Sequence, residues 1–255
     1  MTSPNLPQKP FNYQKDCRDK DMPLAAHLSE LRSCLIKSLA AILLAAGITF
    51  AFMQQILDIL TAAAGNLYYM RPAEAFVIYL KISVIGGFIL ASPAIFYQAY
   101  KFIKPALTPQ EDTAALYCLP VTIILGIIGM LFSYHFIFPR SLAFFLSFAA
   151  GKITPMLSME SYLSFMIMLI TPFAFIFNIP VIITILGKLK LVSMVTLQKY
   201  HKHVILASFI LAAFITPTPD IITQLLLAMP MVILYEISII LVKFITRGGP
   251  LYEQT

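Results

Sequence analysis

The sequence predicts an all-α polytopic membrane protein with six transmembrane helices, cytoplasmic N- and C-termini, and two short final helices. The first observation is composition: 59% of the 255 residues are hydrophobic and 12% are charged, whereas soluble domains carry about 25% charged residues. The second is the spacing of the charges, which leaves runs close to the roughly 20 apolar residues that cross a bilayer as a helix. The third is the distribution of lysine and arginine between those runs.

Six apolar runs account for the predicted helices. The first four are residues 34–53, residues 82–100, the stretch between Asp112 and Arg140 and the stretch between Glu160 and Lys188, the third and fourth of which have ample length. The last two, 204–219 and 221–235, contain 15 or 16 residues and would reach about 22 to 24 Å, against a hydrocarbon core of about 30 Å. They predict a short helical hairpin that turns within residues 216–220.

The positive charges give the orientation. All but four of the 18 lysines and arginines lie before or near the start of the first run, in the even-numbered connections or after the last run. The four exceptions are Arg71, Lys81, Arg140 and Lys152. Because cytoplasmic loops carry the excess of Lys and Arg, both termini are predicted to be cytoplasmic. The formal net charge of +6 therefore reflects membrane topology and does not indicate nucleic-acid binding.

One membrane domain is predicted between two polar tails: residues 1–22 form a cytoplasmic tail, 23–244 the six-helix domain and 245–255 a second cytoplasmic tail. The first tail combines Lys and Asp without an apolar core, so we expect that it is not a secretory signal. The three cysteines lack metal-ligand spacing, and no phosphate-binding loop or nucleophile elbow is visible. We therefore expect no enzymatic activity, metal or cofactor.

The stretch before the first run contains the first candidate site residue, Glu30. Asp21 and Pro23 suit a helix start, and leucines recur every three or four residues from 24 to 35. We expect a surface helix that continues into the first span. No Lys or Arg lies three or four residues from Glu30, the spacing at which a helical ion pair forms. Glu30 is therefore either a solvated surface acid or a carboxylate available to a ligand.

A second acid, Glu111, belongs to the same predicted face. The segment Thr108-Pro109-Gln110-Glu111 has the spacing of a capping box, with Thr as the cap and Glu at the third helical position. That structural role alone could account for Glu111. The aromatic and lysine residues of 96–107 precede it, as in an aromatic belt at the membrane interface. Both acids nevertheless lie beside apolar or aromatic residues in the sequence.

Four blocks of residues occur in order along the chain. They are His27-Leu28-Ser29-Glu30-Leu31-Arg32; Tyr97-Gln98 with Phe102-Ile103, Pro105-Ala106-Leu107 and Glu111; Gly129-Met130-Leu131-Phe132-Ser133-Tyr134; and Thr216-Pro217 with Pro219-Asp220, Gln224-Leu225-Leu226-Leu227-Ala228-Met229-Pro230-Met231 and Tyr235-Glu236. In these blocks the chain resembles the TatC family, the multispanning core of the twin-arginine protein translocase. The resemblance runs from about Pro23 to Phe244, and it agrees with the orientation that the charges predict.

The resemblance implies a receptor for the signal peptides of folded proteins, which carry two consecutive arginines. In the family, acids of the first two blocks receive those arginines, and they correspond here to Glu30 and Glu111. The family's aromatic residue at this site corresponds to Phe102, which would cover the arginine or contact the apolar part of the peptide. The chemistry agrees, because a guanidinium is a rigid fork of donors suited to bidentate carboxylate pairing.

The resemblance also implies a multi-pass protein of the bacterial cytoplasmic (inner) membrane that contacts lipid and forms homo-oligomers within a receptor complex. Its expected partners are single-span TatA-like and TatB-like subunits, and its expected energy source is the transmembrane proton gradient. Partner contacts are expected at Thr216 and Gln224 in the short hairpin, where a locally thinned bilayer would favour assembly. Pro217 and Pro219 are equally explained as turn formers.

Asn178, within the fourth run, is a further expected partner contact, because a polar side chain inside the hydrocarbon marks a functional position by default. The family usually has Glu at this point. Asn keeps the capacity for hydrogen bonding but loses the charge and the proton. An interhelical structural hydrogen bond is the alternative explanation for Asn178.

Two other classes of function remain open from the residues alone. A proton-coupled small-molecule transporter would place acids near mid-membrane, often in repeated halves, whereas the acids here lie at the ends of the runs and no repeat is visible. A non-transporting membrane scaffold would tolerate loss of both Glu30 and Glu111. A twin-arginine receptor predicts an acid pair on the cytoplasmic face.

Overall fold

The structure is a computed structural model that describes residues 24–62, 64, 67–106, 108–148, 156–188, 192–216 and 220–246. The predicted tail 1–22 and most of the predicted tail 245–255 lie outside the described residues. Two predicted turn formers, Pro217 and Pro219, also lie outside them.

Helices make up almost all of the described chain. They are α1 (Leu24–Ala51), α2 (Met53–Thr61), α3 (Glu74–Ile103), a 3-10 turn (Lys104–Ala106), α4 (Pro109–Phe132), a π turn (Ser133–Ile137), α5 (Phe138–Ser147), α6 (Met159–Ile176), α7 (Ile179–Lys188), α8 (Met194–Ile215) and α9 (Ile221–Thr246). Two short strands, β1 (Leu67–Tyr68) and β2 (Leu157–Ser158), pair in parallel. The predicted all-α class therefore describes the fold apart from this small bridge.

Five segments of the described chain are long and apolar enough to cross a membrane. They are His27–Ala51, Glu74–Ile103, Leu116–Ser147, Met159–Lys188 and Ile221–Phe244. The predicted run 204–219 falls mainly in α8, which has 22 residues but carries lysines and histidines in its first half. Those polar residues lower the mean hydropathy of α8 below that of the other five segments.

The prediction of two short final helices is wrong. α9 has 26 residues and would reach about 39 Å, and α8 would reach about 33 Å, at about 1.5 Å per residue. The charge-free run ended before Glu236, but α9 continues past it to Thr246, and Glu236 Oε1 lies 2.8 Å from His201 Nδ1 of α8. Helix length therefore gives no support to a thinned bilayer at this hairpin.

The helix predicted before the first span continues into that span, as expected. α1 runs without interruption from Leu24 to Ala51 and packs antiparallel along α3. The close approach of these helices depends on small residues: a Cβ on Gly87 would come within 2.6 Å of the Ala46 backbone. Glu30 therefore lies within the first turns of a membrane-crossing helix.

α6 is the centre of the bundle. One of its faces is fully buried and consists of Tyr162, Leu163, Met166, Leu169 and Phe173. Around it the remaining helices expose many large apolar side chains, such as Leu44, Phe76 and Phe214. A water-soluble domain seldom exposes large contiguous apolar patches, so these outward side chains fit a lipid environment.

The two ends of the bundle differ. At one end, which we call the capped end, α1 ends and α3 begins, and the β1–β2 bridge joins two connections. Glu74, at the start of α3, is 3% exposed. Its carboxylate accepts hydrogen bonds from the backbone N–H groups of Met70, Arg71 and Glu160 and from the Ser158 hydroxyl. At the other end, which we call the basic end, α1 begins, α3 ends and α4 begins.

Candidate functional site

A stacked ring pair joins α1 to α3 at the basic end. The imidazole of His27 and the phenyl ring of Phe102 have centroids 4.3 Å apart and planes inclined by 19°. Stacking between two aromatic rings is energetically favourable and keeps the rings in contact. Phe102 is therefore held against α1, within one helical turn of the position that carries Glu30.

Glu30 has an unpaired carboxylate oxygen. Its Oε2 atom is buried and has no hydrogen-bond partner among the residues that the structure describes. Gln98 of α3 presents the same feature, since its buried Oε1 also lacks a partner in the described chain. Glu30 lies one turn after His27 and Gln98 one turn before Phe102, so the antiparallel register brings both to the same level of the bundle.

An acceptor group of this kind suits a ligand that supplies several N–H donors. Leaving a buried polar group unpaired costs about 1 to 3 kcal/mol. A guanidinium would satisfy the free carboxylate oxygen and remain close to an aromatic face.

Sequence reasoning named Glu30 and Phe102 as site residues, and the structure places them near each other at one end of the bundle. The prediction from sequence missed His27 and Gln98 as neighbours of the site, although both residues occur in the four sequence blocks that resemble the family.

Glu111 lies in the first turn of α4, which begins at Pro109 as the capping-box spacing predicts. Its side chain lies outside the described residues. The next residue, Asp112, is fully engaged: the Tyr100 hydroxyl donates a hydrogen bond to Asp112 Oδ1, and Lys104 Nζ lies 3.3 Å from Asp112 Oδ2. The structure therefore brings the α4 start, and with it the backbone of Glu111, to the end of α3.

This contact sets the charge states of its members. The hydrogen bond from Tyr100, followed by the contact with Lys104, lowers the pKa of the Asp112 carboxyl below its ordinary value. The hydrogen bond to Asp112, followed by that to Tyr100, raises the pKa of the Lys104 ammonium. Asp112 and Lys104 are therefore both ionised at neutral pH.

A second feature is an apolar groove of about 310 Å³ between α3, α4 and α6. Phe88, Gly126 and Phe175 line it together with Thr171 and Asn178. The lining of this groove is otherwise mostly hydrocarbon. It contains room for a ligand the size of several side chains.

Asn178 lies in the turn between α6 and α7 and is 5% exposed. Its Nδ2 donates to the Ala174 carbonyl at 2.8 Å, but its buried Oδ1 has no partner among the described residues. The Thr171 hydroxyl, one helical turn before Ala174, is likewise buried and unpaired within the described chain. The expected interhelical structural bond is thus absent from Asn178 among the described residues, where its side-chain bond is to α6, which immediately precedes it.

Thr216 and Gln224 both make hydrogen bonds within the α8–α9 hairpin. The Thr216 hydroxyl donates to the Ala212 carbonyl at 3.2 Å, and Gln224 Nε2 donates to the Phe209 carbonyl at 3.0 Å. Gln224 therefore ties α9 to α8. Asp220 caps the start of α9 by accepting from the Thr223 backbone N–H at 2.8 Å.

These features define a polytopic α-helical membrane protein that has an unpaired acid at one end of the bundle and a lateral apolar groove. Residues 26–230 match the model of the family described as Sec-independent protein translocase protein TatC. The chain belongs to the TatC family, and it is a multi-pass protein of the inner membrane and a component of the Tat protein translocase. The prediction of that family is confirmed.

Relatives and a solved structure cover nearly the whole chain. The TatC protein of Carboxydothermus hydrogenoformans is 41% identical over 231 residues, which are 89% of this chain and 95% of that protein. That of Aquifex aeolicus is 38% identical over 234 residues, 89% of this chain and 97% of the other. A crystal structure of the twin-arginine translocase receptor TatC superposes with a TM-score of 0.77 at 38% identity, covering 87% of this chain and all of that one.

Proposed function

We propose that this chain is the signal-peptide receptor and core subunit of a twin-arginine translocase, and that Glu30, Glu111 and Phe102 bind the two consecutive arginines. The observation that carries the proposal is the buried, unpaired Oε2 atom of Glu30 beside the His27–Phe102 ring stack. The solved relative described as a twin-arginine translocase receptor supports it.

Two acids on separate helices select a pair of arginines for a geometric reason. Each guanidinium presents a planar fork of donors that one carboxylate accepts in a bidentate manner, whereas a lysine ammonium offers a point charge. Glu30 is fixed on α1 and Glu111 on α4. Their separation is set by the backbone, so a peptide with one arginine would satisfy only one acid. The phenyl ring of Phe102 offers a face for one guanidinium or for the apolar part of the peptide.

The proposal includes the orientation that the charges predict, with the basic end in the cytoplasm. Signal peptides of folded precursors would then reach Glu30 from the cytoplasmic side. Transport would use the transmembrane proton gradient, as the family resemblance implies. We also propose that several copies of this chain assemble within one receptor complex, in contact with membrane lipid.

Single-span TatA-like and TatB-like subunits are the proposed partners of the groove and the hairpin. The free Oδ1 of Asn178 requires a donor that a hydrocarbon chain does not supply, so a partner helix with one polar side chain fits the groove better than lipid. Thr216 and Gln224 are proposed as partner contacts along the α8–α9 edge. Their internal hydrogen bonds favour a structural role instead, and a cross-linking experiment at both positions separates the two roles.

Peptide binding to the purified protein in lipid nanodiscs tests the receptor proposal. We expect a twin-arginine signal peptide to bind more tightly than its twin-lysine counterpart. Glu30→Gln and Glu111→Gln should each weaken arginine-peptide binding by about 5- to 150-fold, the equivalent of one charge-assisted contact of about 1 to 3 kcal/mol. Asp58→Asn is the matched control, because Asp58 is an exposed acid of α2 near the capped end and should leave binding unchanged.

Export of a reporter protein tests the same proposal in cells. The chain should restore export of a reporter that carries a twin-arginine signal to cells lacking their own receptor subunit. The double variant Glu30→Ala with Glu111→Ala should abolish that export. Normal export by the double variant would exclude the site, and it would favour a scaffold that has no role in peptide recognition.

A further inference from the structure

A closed three-residue contact, which we call the Asp112 clasp, consists of Tyr100, Lys104 and Asp112. Both carboxylate oxygens of Asp112 are engaged, one by the Tyr100 hydroxyl and the other by Lys104. The Lys104 ammonium also lies 3.4 Å from the Tyr100 hydroxyl oxygen and 5.6 Å from the centre of its ring. Each member therefore contacts the other two.

The clasp closes the connection between α3 and α4 at its two ends. Tyr100 belongs to the last turn of α3, Lys104 begins the 3-10 turn, and Asp112 belongs to the first turn of α4. Phe102 lies between the first two residues, and Glu111 immediately precedes the third. The two proposed peptide-binding residues of this connection thus lie between clasp residues in the sequence.

We propose that the Asp112 clasp positions Phe102 and Glu111 for the twin-arginine peptide, and that Lys104 keeps Asp112 from acting as a competing acid. This inference rests on the proposed receptor function. Tyr100, Lys104 and Asp112 are positioning residues, because they act on the peptide through their neighbours.

The need for such a device follows from the sequence order of the two acids. Asp112 directly follows Glu111, so an unpaired Asp112 would present a second carboxylate at the start of α4. A peptide arginine could then pair with an acid whose distance from Glu30 differs from that of Glu111. Pairing with Lys104 offsets the negative charge of Asp112, and the Tyr100 hydroxyl donates a hydrogen bond to its other oxygen. Their bonds favour the ionised carboxylate, in agreement with the lowered pKa of Asp112.

Replacement of Lys104 separates positioning from simple charge attraction. Lys104→Gln removes a positive charge near the site, and Coulomb attraction alone would then strengthen binding of a cationic peptide. The clasp proposal predicts weaker peptide binding instead, because the connection between α3 and α4 loses its fixed geometry. Lys101→Gln is the matched control: Lys101 is exposed, lies in the same turn of chain and has no ion pair among the described residues.

The experiment measures binding of twin-arginine and twin-lysine peptides to the full chain in nanodiscs. We expect Lys104→Gln to weaken arginine-peptide binding by about threefold to tenfold, the size of one lost charge-assisted bond that acts indirectly. The preference for arginine over lysine should fall by a similar factor. Lys101→Gln should show neither change. A partly unfolded sample would lower the fraction of active protein equally for both peptides, so the preference is a readout that loss of fold does not change.

Two further measurements complete the test. The exchanged pair Lys104→Asp with Asp112→Lys restores the opposite charges and should regain at least half of the lost preference. Hydrogen exchange at the amides of residues 103–113 should be faster in Lys104→Gln than in Lys101→Gln. Equal peptide preference in Lys104→Gln and Lys101→Gln would overturn the clasp proposal. A wild-type chain that shows no arginine preference would instead overturn the proposed receptor function, so the two failures are distinct.

Discussion

The α-carbon of Gly129 in α4 faces the backbone carbonyl oxygen of Phe173 in α6. A Cβ at Gly129 would lie 2.3 Å from that oxygen and 2.9 Å from the Phe177 side chain. No real Cβ contact is that short, so the two helices approach as closely as they do only because residue 129 lacks a side chain. Gly126, about one helical turn before Gly129, lines the groove that contains Asn178.

Gly129→Ala should therefore destabilise the protein by about 1 to 3 kcal/mol, the usual cost of overpacking. The added methyl group meets backbone, which moves less easily than a side chain. The control is Gly47→Ala in α1, where a Cβ would meet nothing within 4 Å and should leave stability unchanged or raise it by up to about 1 kcal/mol. Thermal unfolding of both variants in the same detergent measures the difference, and equal melting temperatures would contradict the predicted clash.

Glu74 should matter more to stability than the exposed acid Glu160. Glu74→Gln places an amide NH₂ where backbone N–H groups or the Ser158 hydroxyl now donate to a carboxylate oxygen, so donors would face donors. Glu160→Gln breaks only the exposed pair with Lys81 at 3.4 Å, which is worth about 0 to 1 kcal/mol. We expect a lower melting temperature for Glu74→Gln alone. Equal melting of the two variants would show that the capped end does not depend on Glu74.

Asp112 should titrate at lower pH than an ordinary aspartate. Because the folded-state pKa is lowered, the contact stabilises the folded chain from about pH 5 upward and is lost as the pH falls through the folded value. The pKa of Lys104 is raised, so the contact persists at alkaline pH up to about 10. Carboxyl carbon NMR of selectively labelled protein measures the titration directly.

Tyr100→Phe is the matched variant for that titration. It removes the hydroxyl that makes the largest contribution to the lowered pKa of Asp112 and leaves the Lys104 pair in place. The Asp112 titration should then move upward toward the ordinary aspartate range. An unchanged titration would mean that the tyrosine hydroxyl does not donate to Asp112.

The class of fold could be predicted from the sequence because the bilayer demands long apolar helices and leaves a simple pattern of charges. Counting charge-free runs nevertheless gave the wrong end for the last helix. Glu236 ended the last predicted run, yet α9 continues to Thr246, and His201 of another helix lies beside that carboxylate. Counting charges along the chain contains no information about partners from other helices.

The candidate site could also be predicted from the sequence only in part. The absence of a local cation marked Glu30, and the unpaired Oε2 atom agrees with that prediction. Asp112 gave no such signal, because its pairing with Tyr100 and Lys104 depends on how the α3–α4 connection turns back on itself. The groove beside Asn178 was equally hidden, since three helices contribute to it.

Asn178→Leu should separate the stability of the isolated chain from its transport activity. Leucine removes both the bond to Ala174 and the unpaired Oδ1, and replacing a half-satisfied polar group by an apolar one of similar size changes stability by less than about 1 kcal/mol. If a partner helix donates to Oδ1, the variant should lose reporter export and cross-linking to the single-span subunit while its melting temperature stays the same. Thr171→Val is the control, because it removes another unpaired buried oxygen of the same groove without changing side-chain shape; it should keep both export and melting temperature. Full export by Asn178→Leu would exclude a partner contact at this residue, since a donor facing leucine in the groove would be left buried without an acceptor.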